Sequence, residues 1–439
     1  MHMHIRELSG KRICILGYGK EGQAMVRALE KYAPGCEITI ADRETKIQET
    51  RYKMQTGEKY LENLDRFDVI IKSPGVPPTK MQDARCKMQT TPTQIFFDSI
   101  ANSGVIVIGV TGSKGKSTTA SLIHHILSAR SFLVGNIGEP AIAHLEDAKK
   151  GTIFVMELSS YQLLGLKISP HIAVITSFFP EHLDYHASTP LGTGSTPLEN
   201  YMDAKKNITR FQGEDDIVFF CADSHGAAEI AKEGLGRKIP FSASDAPVHI
   251  EETHLLGTHN LSNIAAAFAV ARELGVDDNA AIAAIKTFHG LPHRLQSLGV
   301  HHGCEWIDDA ISTTPESTIA ALDALGDRVH TIILGGQDRG NDFTELGKRI
   351  AESSIKQVIL FPGSGPRIRK AIEDAGADVT FFEANSMEEA VNSAMRLAMS
   401  DKRIAPPIVL LSTASPSYGM FKNFEDKGDC FRKCISVSH

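Results

Sequence analysis

A glycine-rich turn carries the clearest chemistry in this sequence of 439 residues. It reads Thr111-Gly-Ser-Lys-Gly-Lys-Ser117, between the largely β-branched run Val105–Val110 and apolar residues at helical spacing up to Leu127. A buried strand, a turn and a helix in this order present backbone N–H groups to an anion. Lys116 adds a charge and Ser117 a hydroxyl for Mg²⁺. The pattern predicts a nucleoside triphosphate site, and the alternative is a glycine turn with a surface lysine.

Two further segments place polar side chains directly after apolar strands. Ile153–Met156 leads into Glu157, and His171–Thr176 leads towards Glu181-His182-Leu-Asp184. Because the carboxyl ends of parallel strands share one edge of a sheet, a metal held at the phosphate turn would find these side chains nearby. We therefore predict a metal site with Glu157 and His182, whose structural alternatives are a helix cap and a core histidine.

The N-terminal part carries a second glycine pattern. Gly17-Tyr-Gly-Lys-Glu-Gly22 follows the predicted buried strand Lys11–Leu16, and the next strand ends in Asp42, 20 positions beyond Gly22. This spacing is typical of a dinucleotide-binding βαβ unit whose acidic residue accepts a ribose hydroxyl. NAD, a nucleoside diphosphate without redox chemistry, and a tight turn without a ligand all stay open on this pattern.

Composition restricts the class of protein. The chain is 42% apolar and 23% charged, and its net charge of −7 gives no basic surface for nucleic acid or an anionic membrane. No apolar run approaches the ~18 residues of a membrane-spanning helix, so we expect no membrane insertion. Seven scattered cysteines without a CxxC pair predict reduced thiols and a cytoplasmic location.

Strand and helix patterns predict an α/β fold with three domains. Residues 1–98 form a Rossmann-like domain, residues 99–295 a central parallel sheet with the phosphate turn, and residues 296–439 a doubly wound α/β domain. A site that closes between domains would protect an intermediate from water.

The order of the motifs resembles that of the Mur ligases, the ATP-dependent amide-forming enzymes of peptidoglycan precursor synthesis. The similar segments are T-G-x-x-G-K-S at 111–117, G-N-I-G at 135–138, E-L-S-S-Y-Q at 157–162, E-H-L-D at 181–184, Y-x-x-A-K at 201–205, G-T-H-N-L-S-N at 257–263, G-L-P-H-R at 290–294, G-G-Q-D-R-G at 335–340 and M-F-K-N-F-E-D-K-G at 420–428. Because they cover nearly the whole chain in the family's order, chance is a poor explanation.

The resemblance assigns each candidate residue to a ligand. ATP would be bound by Gly112, Ser113, Lys114, Gly115, Lys116, Ser117, Thr118, Asn263, Arg294 and Asp309. A UDP-bearing substrate would be bound by Tyr18, Gly19, Asp42, Arg43, Ser73, Gly75, Asn136, Ser159 and Gln162, so the fingerprint would not bind NAD. The amino acid would be bound by Thr313, Arg339, Ser417 and Phe424.

The resemblance also implies two Mg²⁺ ions. Their ligands would be Ser117, Glu157, His182 and Lys205, the last as a carbamate formed with CO₂. The catalytic residues would be Lys116, Glu157, His182 and Lys205. Carbamate formation needs a neutral amine, so the pKa of this lysine must lie well below its reference value of about 10.4.

Within the family, the motifs are most similar to the member that adds D-glutamate to UDP-N-acetylmuramoyl-L-alanine through an acyl phosphate. This chain differs from the usual family motifs at five positions. Ser177 and Glu181 replace Asn and Asp, Ile311 and Arg339 replace lysines, and Pro416 interrupts the motif at Thr413–Ser417. Those near the amino acid leave L-glutamate or another amino acid open. Arg339 still suits a carboxylate, because its guanidinium can pair with one bidentately.

Three other functions remain as alternatives. An NAD oxidoreductase would use only the N-terminal fingerprint and leave the phosphate turn unexplained. An enzyme similar to folylpolyglutamate synthetase would not need the N-terminal nucleotide fold. A non-catalytic nucleotide-binding relative is suggested by Ile311 and Ser177. We further expect a monomer that works on small-molecule substrates.

Overall fold

A computed structural model describes residues 3–45, 51–76, 88–181, 183–187, 195–398 and 406–437. The chain forms two compact units, Met1–Pro247 with Leu261–Ile285, and Val248–Asn260 with Lys286–His439. The described part contains three sheets, two in the first unit and one in the second. The predicted α/β class with three sheet-based parts is confirmed.

The first sheet carries the glycine fingerprint. Its elements are β1 Arg12–Leu16, α1 Lys20–Tyr32, β2 Glu37–Asp42, β3 Lys53–Thr56, β4 Val69–Lys72, β5 Gln89–Thr90 and α2 Pro92–Ile100. The strand order is β3-β2-β1-β4-β5, and neighbouring strands are parallel. Thr91 caps α2 and Pro92 opens it, a favoured helix start. The proposed boundary at residue 98 therefore falls inside this helix.

The second sheet carries the phosphate turn. Its elements are β6 Ile106–Thr111, α3 Lys116–Leu127, β7 Ser131–Gly135, β8 Ile153–Glu157, α4 Ser160–Leu163, β9 Ile172–Ile175, α5 Leu183–His186, α6 Pro197–Lys206, β10 Ile217–Cys221, α7 His225–Ala231 and β11 Arg237–Phe241. The strand order is β11-β10-β9-β6-β8-β7, with parallel neighbours. The order reverses at β6, and open α/β sheets bind ligands at the carboxyl edge of such a strand.

Two helices follow, α8 Asn260–Glu273 and α9 Asp278–Thr287. All but their outermost residues belong to the first unit, and the second unit resumes at Lys286 rather than at the proposed boundary of 296.

The third sheet belongs to the second unit. Its elements are β12 Gln296–His301, β13 Cys304–Asp308, α10 Pro315–Leu325, β14 Val329–Gly336, α11 Thr344–Ala351, β15 Gln357–Gly363, α12 Gly365–Asp374, β16 Thr380–Glu383, α13 Met387–Ala398, β17 Ile408–Leu411 and α14 Phe424–Val437. The strand order is β12-β13-β17-β14-β15-β16, and only β12 and β13 are antiparallel. Side chains of α10 to α12 pack on one face and those of α13 and α14 on the other. The predicted doubly wound unit is confirmed.

One predicted site residue, His182, lies outside the described residues. Within the described ranges, none of the helices is both long enough and apolar enough to cross a bilayer.

Candidate active site

The phosphate turn joins β6 to α3 as predicted. Gly115 directly precedes α3 with a φ of +84°, a conformation that glycine adopts readily. A Cβ on Gly112 would lie 2.1 Å from Thr176 Oγ1, so a side chain there would collide with the loop after β9. The Lys116 ammonium donates to Ser113 O at 2.7 Å and thus folds back over the turn.

The loop after β9 holds the phosphate turn. Ser113 N donates to Ser177 O, and Lys114 N donates to Ser177 Oγ, both at 2.9 Å. The Lys114 ammonium lies 2.5 Å from Glu181 Oε1. Ser177 and Glu181 are departures from the family pattern, yet both contact the turn. Ser117 and Thr118 lie in the first turn of α3, where helix N–H groups lack intrahelical partners.

Glu157 lies beside the phosphate turn because β8 pairs with β6 in a register that sets it opposite Val110. The residue is 1% exposed. Its Oε1 accepts from Asn136 Nδ2 at 3.0 Å, whereas its Oε2 has no hydrogen-bond partner in the described part of the chain. A buried carboxylate oxygen without a partner is unfavourable, and Mg²⁺ binds carboxylate oxygens. Glu157 therefore fits a metal ligand.

Lys205 reaches the same turn from α6. The residue is 1% exposed, and its Nζ donates to Gly112 O at 2.8 Å and to Thr111 Oγ1 at 3.2 Å. Burial lowers the pKa of Lys205 well below its ordinary value, and the charge of Lys116 lowers it further. These surroundings favour the neutral amine that a carbamate requires.

Only part of the predicted set of metal ligands lies among the described residues. His182 lies outside the described residues, and among those described no three His, Cys, Asp or Glu side chains group closely enough to hold an ion. A metal bound beside Glu157 would therefore draw on other oxygens, such as the Ser117 hydroxyl, phosphate oxygens or a carbamate on Lys205.

Asn263 contacts the phosphate turn from α8. It is buried, and its Oδ1 accepts from Thr119 Oγ1 at 3.2 Å. A Cβ on Gly115 would lie 2.3 Å from the same oxygen. The fold thus brings this predicted ATP residue against the turn from a distant part of the sequence.

The fingerprint of the first sheet has the geometry of a nucleotide site. Gly17 has a φ of +90°, and a Cβ on Gly22 would lie 2.1 Å from Gly17 O, so both positions require glycine. Tyr18 N donates to Asp42 Oδ2 at 2.6 Å. Gly19 caps α1 without a side-chain hydrogen bond, which leaves helix N–H groups available to an anion.

The turn after β4 lies against this fingerprint. Ser73 N donates to Leu16 O, and Ser73 Oγ donates to Gly17 O, both at 2.8 Å. The Ser73 hydroxyl proton is therefore engaged by the neighbouring turn. Gly75 and Arg43 are exposed at this edge and accessible to a substrate.

Ser159 and Gln162 are engaged in internal contacts. Together they form the capping box of α4, and Gln162 Nε2 donates to Glu21 Oε1 at 3.0 Å. Burial raises the pKa of Glu21. We interpret Gln162 as a link between α4 and the glycine fingerprint, and its contact with a UDP-bearing substrate stays a prediction.

In the second unit, Asp309 is 2% exposed. Its Oδ1 accepts from Leu295 N at 3.2 Å and its Oδ2 from Ser412 Oγ at 2.8 Å. Burial raises the pKa of Asp309 to about 6, although hydrogen bonds from Ser312, Ser412 and the Leu295 backbone, and the charge of Arg294, act in the opposite direction. Arg294 is exposed, and the assignment of both residues to ATP stays a prediction.

Three of the four predicted amino-acid residues follow strands that end at one edge of the third sheet. Arg339 follows β14 and Ser417 follows β17, the adjacent pair where the strand order reverses. Arg339 is exposed, and its guanidinium carbon lies 5.6 Å from the ring centroid of Tyr418. Ser417 is 5% exposed, and its Oγ has no partner in the described part. Thr313 follows β13, and Phe424 begins α14.

Sequence reasoning included Tyr201 in a family motif but gave it no role. Its hydroxyl oxygen lies 3.0 Å from Ser113 Oγ, and Lys205 Nζ lies 4.9 Å from its ring centroid. The four-residue spacing of Tyr201 and Lys205 on a helix was the available signal, because side chains at i and i+4 share a face.

Comparison with known proteins identifies the family. Residues 110–247 match the Mur ligase middle domain, and residues 293–411 match the Mur ligase, glutamate ligase domain. The UDP-N-acetylmuramoyl-L-alanine–L-glutamate ligase of Salinispora tropica is 35% identical, over 99% of this chain and 99% of its own. The chain belongs to the Mur ligase family. The resemblance drawn from the motifs is thereby confirmed.

Other Mur ligases agree in sequence and in fold. The UDP-N-acetylmuramoylalanine–D-glutamate ligase of Streptococcus agalactiae is 33% identical over 97% of both chains. The crystal structure of the UDP-N-acetylmuramate–alanine ligase of Thermotoga maritima superposes with a TM-score of 0.59 at 18% identity, covering 98% of this chain and all of its own, which shows a shared fold. This Mur ligase is an ATP-dependent enzyme that forms a C–N bond, with ATP and Mg²⁺ as its cofactors.

Proposed function

We propose that this Mur ligase adds glutamate, with D-glutamate as the first candidate, to UDP-N-acetylmuramoyl-L-alanine. The relative from Streptococcus agalactiae, named for this reaction, supports the proposal at 33% identity over nearly the full length. The observation that carries it is the meeting of Lys116, Glu157, Lys205 and Asn263 around one phosphate turn. A phosphate loop with a buried carboxylate and a buried amine suits activation of a carboxylate by ATP.

The proposed reaction has two steps. The terminal carboxylate of the muramoyl substrate attacks the γ-phosphorus of ATP, which gives an acyl phosphate and ADP. The amine of the amino acid, as the free base, then attacks the acyl carbon, and the amide forms as phosphate leaves together with the proton lost by the amine. The first step joins two anions, so Lys116 and the backbone N–H groups mainly neutralise charge and align the reactants. Bound Mg²⁺ would neutralise further phosphate charge, and Glu157 and Ser117 would help to hold it.

We also propose that Lys205 carries a carbamate and that two Mg²⁺ ions bind during turnover. The buried amine beside Glu157 supports this, because a carbamate would supply a second anionic ligand. The test is ¹³C NMR of the protein equilibrated with ¹³CO₂. We expect a carbamate signal that disappears in Lys205→Met and persists in Lys206→Met, a matched change at the adjacent residue. An unchanged signal in Lys205→Met would contradict the assignment.

L-glutamate is the second candidate for the amino acid. The relative from Salinispora tropica, named for L-glutamate, is 35% identical. The departures Ile311 and Arg339 fall in the part of the chain proposed to bind the amino acid, where stereochemistry would be read.

The deciding experiment is phosphate release with ATP, Mg²⁺ and UDP-N-acetylmuramoyl-L-alanine against single D- and L-amino acids. A signal with D-glutamate alone supports the first candidate, and one with L-glutamate alone supports the second. Lys116→Ala is the control, because release that persists in this variant would come from a contaminant. Absence of release with every amino acid and with other UDP-muramoyl acceptors would favour the non-catalytic alternative.

The remaining proposals concern the roles of the domains, the cellular location and the oligomeric state. We propose that residues 1–98 bind the UDP moiety, residues 99–295 bind ATP, and residues 296–439 bind the amino acid, in a cytoplasmic monomer. Light scattering coupled to size exclusion should give one chain mass, and a doubled mass would contradict the monomer.

A further inference from the structure

Lys72 ends β4 at the ligand-binding edge of the first sheet. In the register of β1 and β4, Lys72 pairs with Leu16, so it stands beside Gly17, where the glycine turn begins. Its side chain is half-buried. Sequence reasoning gave this lysine no role, because it considered only Ser73 and Gly75 in this turn.

The Lys72 ammonium spans the turn that follows β4. Its Nζ donates to Val76 O at 2.8 Å and to Ser73 O at 3.3 Å. The same turn touches the fingerprint, since a Cβ on Gly17 would lie 3.0 Å from Ser73 Cβ. These contacts hold the ammonium near the glycine turn and, since an ammonium has three donors, leave one N–H for a ligand.

The charge of Lys72 has no counter-charge in the described part of the chain. Both of its hydrogen-bond acceptors are neutral carbonyl oxygens. Burial alone lowers the pKa of Lys72 to about 8, with no carboxylate opposing the shift. A half-buried ammonium without an anion is poorly compensated, and a bound anion would compensate it.

We propose that Lys72 binds the diphosphate of the nucleotide substrate, an inference that rests on the proposed function. The sheet order places β1 between β2, which ends in Asp42, and β4, which ends in Lys72. A nucleotide lying across this edge with its ribose at Asp42 directs its phosphates over the glycine turn, towards β4. The N-terminus of α1 and the Lys72 ammonium then meet the diphosphate from two sides.

The test is calorimetric binding of UDP, UMP and UDP-N-acetylmuramoyl-L-alanine to the full-length protein without ATP. Lys72→Met should weaken binding of UDP and of the muramoyl substrate about tenfold and that of UMP much less, because UMP lacks the second phosphate. Lys72→Arg should restore most of the UDP affinity. Lys59→Met, an exposed lysine of the same sheet region, is the matched control and should change neither affinity.

Equal weakening of UDP and UMP by Lys72→Met would overturn the proposal, since Lys72 would then act only by shaping the turn. Unchanged UDP affinity in a folded Lys72→Met protein would overturn it as well. If the wild-type protein bound neither UDP nor UMP, the nucleotide assignment would fall and the proposal with it. UDP binding without ligase activity would remove only the proposed function and leave the diphosphate contact standing.

Discussion

The phosphate turn of the second sheet and the proposed amino-acid region of the third sheet, formed by Thr313, Arg339 and Ser417, occupy the same kind of position but are built differently. Both lie at the carboxyl edge of a sheet where the strand order reverses. The phosphate turn is one continuous run, Thr111–Ser117, whose glycines fix the backbone. The amino-acid region instead draws Thr313, Arg339 and Ser417 from separate loops. A site formed by the backbone of one short segment can therefore be predicted from a motif. A site formed by side chains from separate loops can change its specificity through single substitutions.

Each region also keeps one buried oxygen without a partner in the described residues. In the phosphate region it is Glu157 Oε2, and in the amino-acid region it is Ser417 Oγ. The first is an anionic oxygen and the second a neutral hydroxyl, so loss of the first should cost far more activity.

The largest effect is expected from Glu157→Gln. The amide cannot replace the carboxylate proposed to bind Mg²⁺, so we expect kcat to fall about 10³-fold in phosphate-release assays. Folding should persist, because an amide oxygen can still accept from Asn136. Glu139→Gln, an exposed neighbour, should keep full activity. A loss smaller than tenfold for Glu157→Gln would place the essential anionic ligand elsewhere and weaken the contrast between the regions.

Next in size is a pH-dependent effect of Asp309. Its pKa is raised from 3.8 to about 6, so between these values the folded state binds more protons than the unfolded state. Stability from this group is present at low pH and is lost as pH rises through about 6. Relative to Asp309→Asn, the free energy of unfolding of the wild type should fall by about 2–3 kcal/mol from about pH 4 to 7.

Chemical denaturation across this pH range measures the effect of Asp309. Asp327→Asn, an exposed change in the same unit, should show no such trend relative to the wild type. A constant difference between Asp309→Asn and the wild type would show that burial does not perturb this carboxyl.

Ser417→Ala should have a smaller effect, which is limited to the KM for the amino-acid substrate. If the hydroxyl binds the amino acid, its removal should raise the KM for that substrate about tenfold and leave the KM for ATP unchanged. Stability should be unaffected, since Ser417 Oγ has no partner in the described part.

Ser415→Ala is the matched control for Ser417→Ala. Ser415 Oγ lies 2.7 Å from Ser364 Oγ, so the alanine should cost about 1 kcal/mol of stability. Its effect on the amino-acid KM should be small. If Ser417→Ala instead lowered the stability of the protein and left the amino-acid KM unchanged, Ser417 would have a structural role in the core.

The smallest effect should come from Arg339→Lys. The side chain is exposed, and exposed ion pairs contribute little, so we expect the glutamate KM to rise about threefold through loss of bidentate pairing. Arg328→Lys, which keeps a charge near Glu305 on the same unit, should not change this KM. If Arg339→Lys instead altered the preference between D- and L-glutamate, Arg339 would be a determinant of stereochemistry.

Much of the fold and of the phosphate site was predictable from sequence. Val105–Val110 is apolar throughout because β6 is buried on both faces, and glycine suits positions 112 and 115 because the backbone has a positive φ at both. The fingerprint of Gly17 and Gly22 follows the same logic. These features depend on neighbours close in sequence, so their residue types record them directly.

The tertiary structure alone decided which side chains are engaged and which remain available. Gln162 is bound to Glu21 and the start of α4, Glu157 retains an oxygen without a described partner, and Lys72 retains a charge without a described counter-ion. Strand register and burial set these outcomes through residues far apart in sequence. The residue type at a position is the same whether its side chain has a partner or not. A sequence motif therefore cannot show which of these side chains are engaged. The sequence by itself predicted which sheet edges would bind ligands, and packing between distant residues determined which polar atoms remain available at each edge.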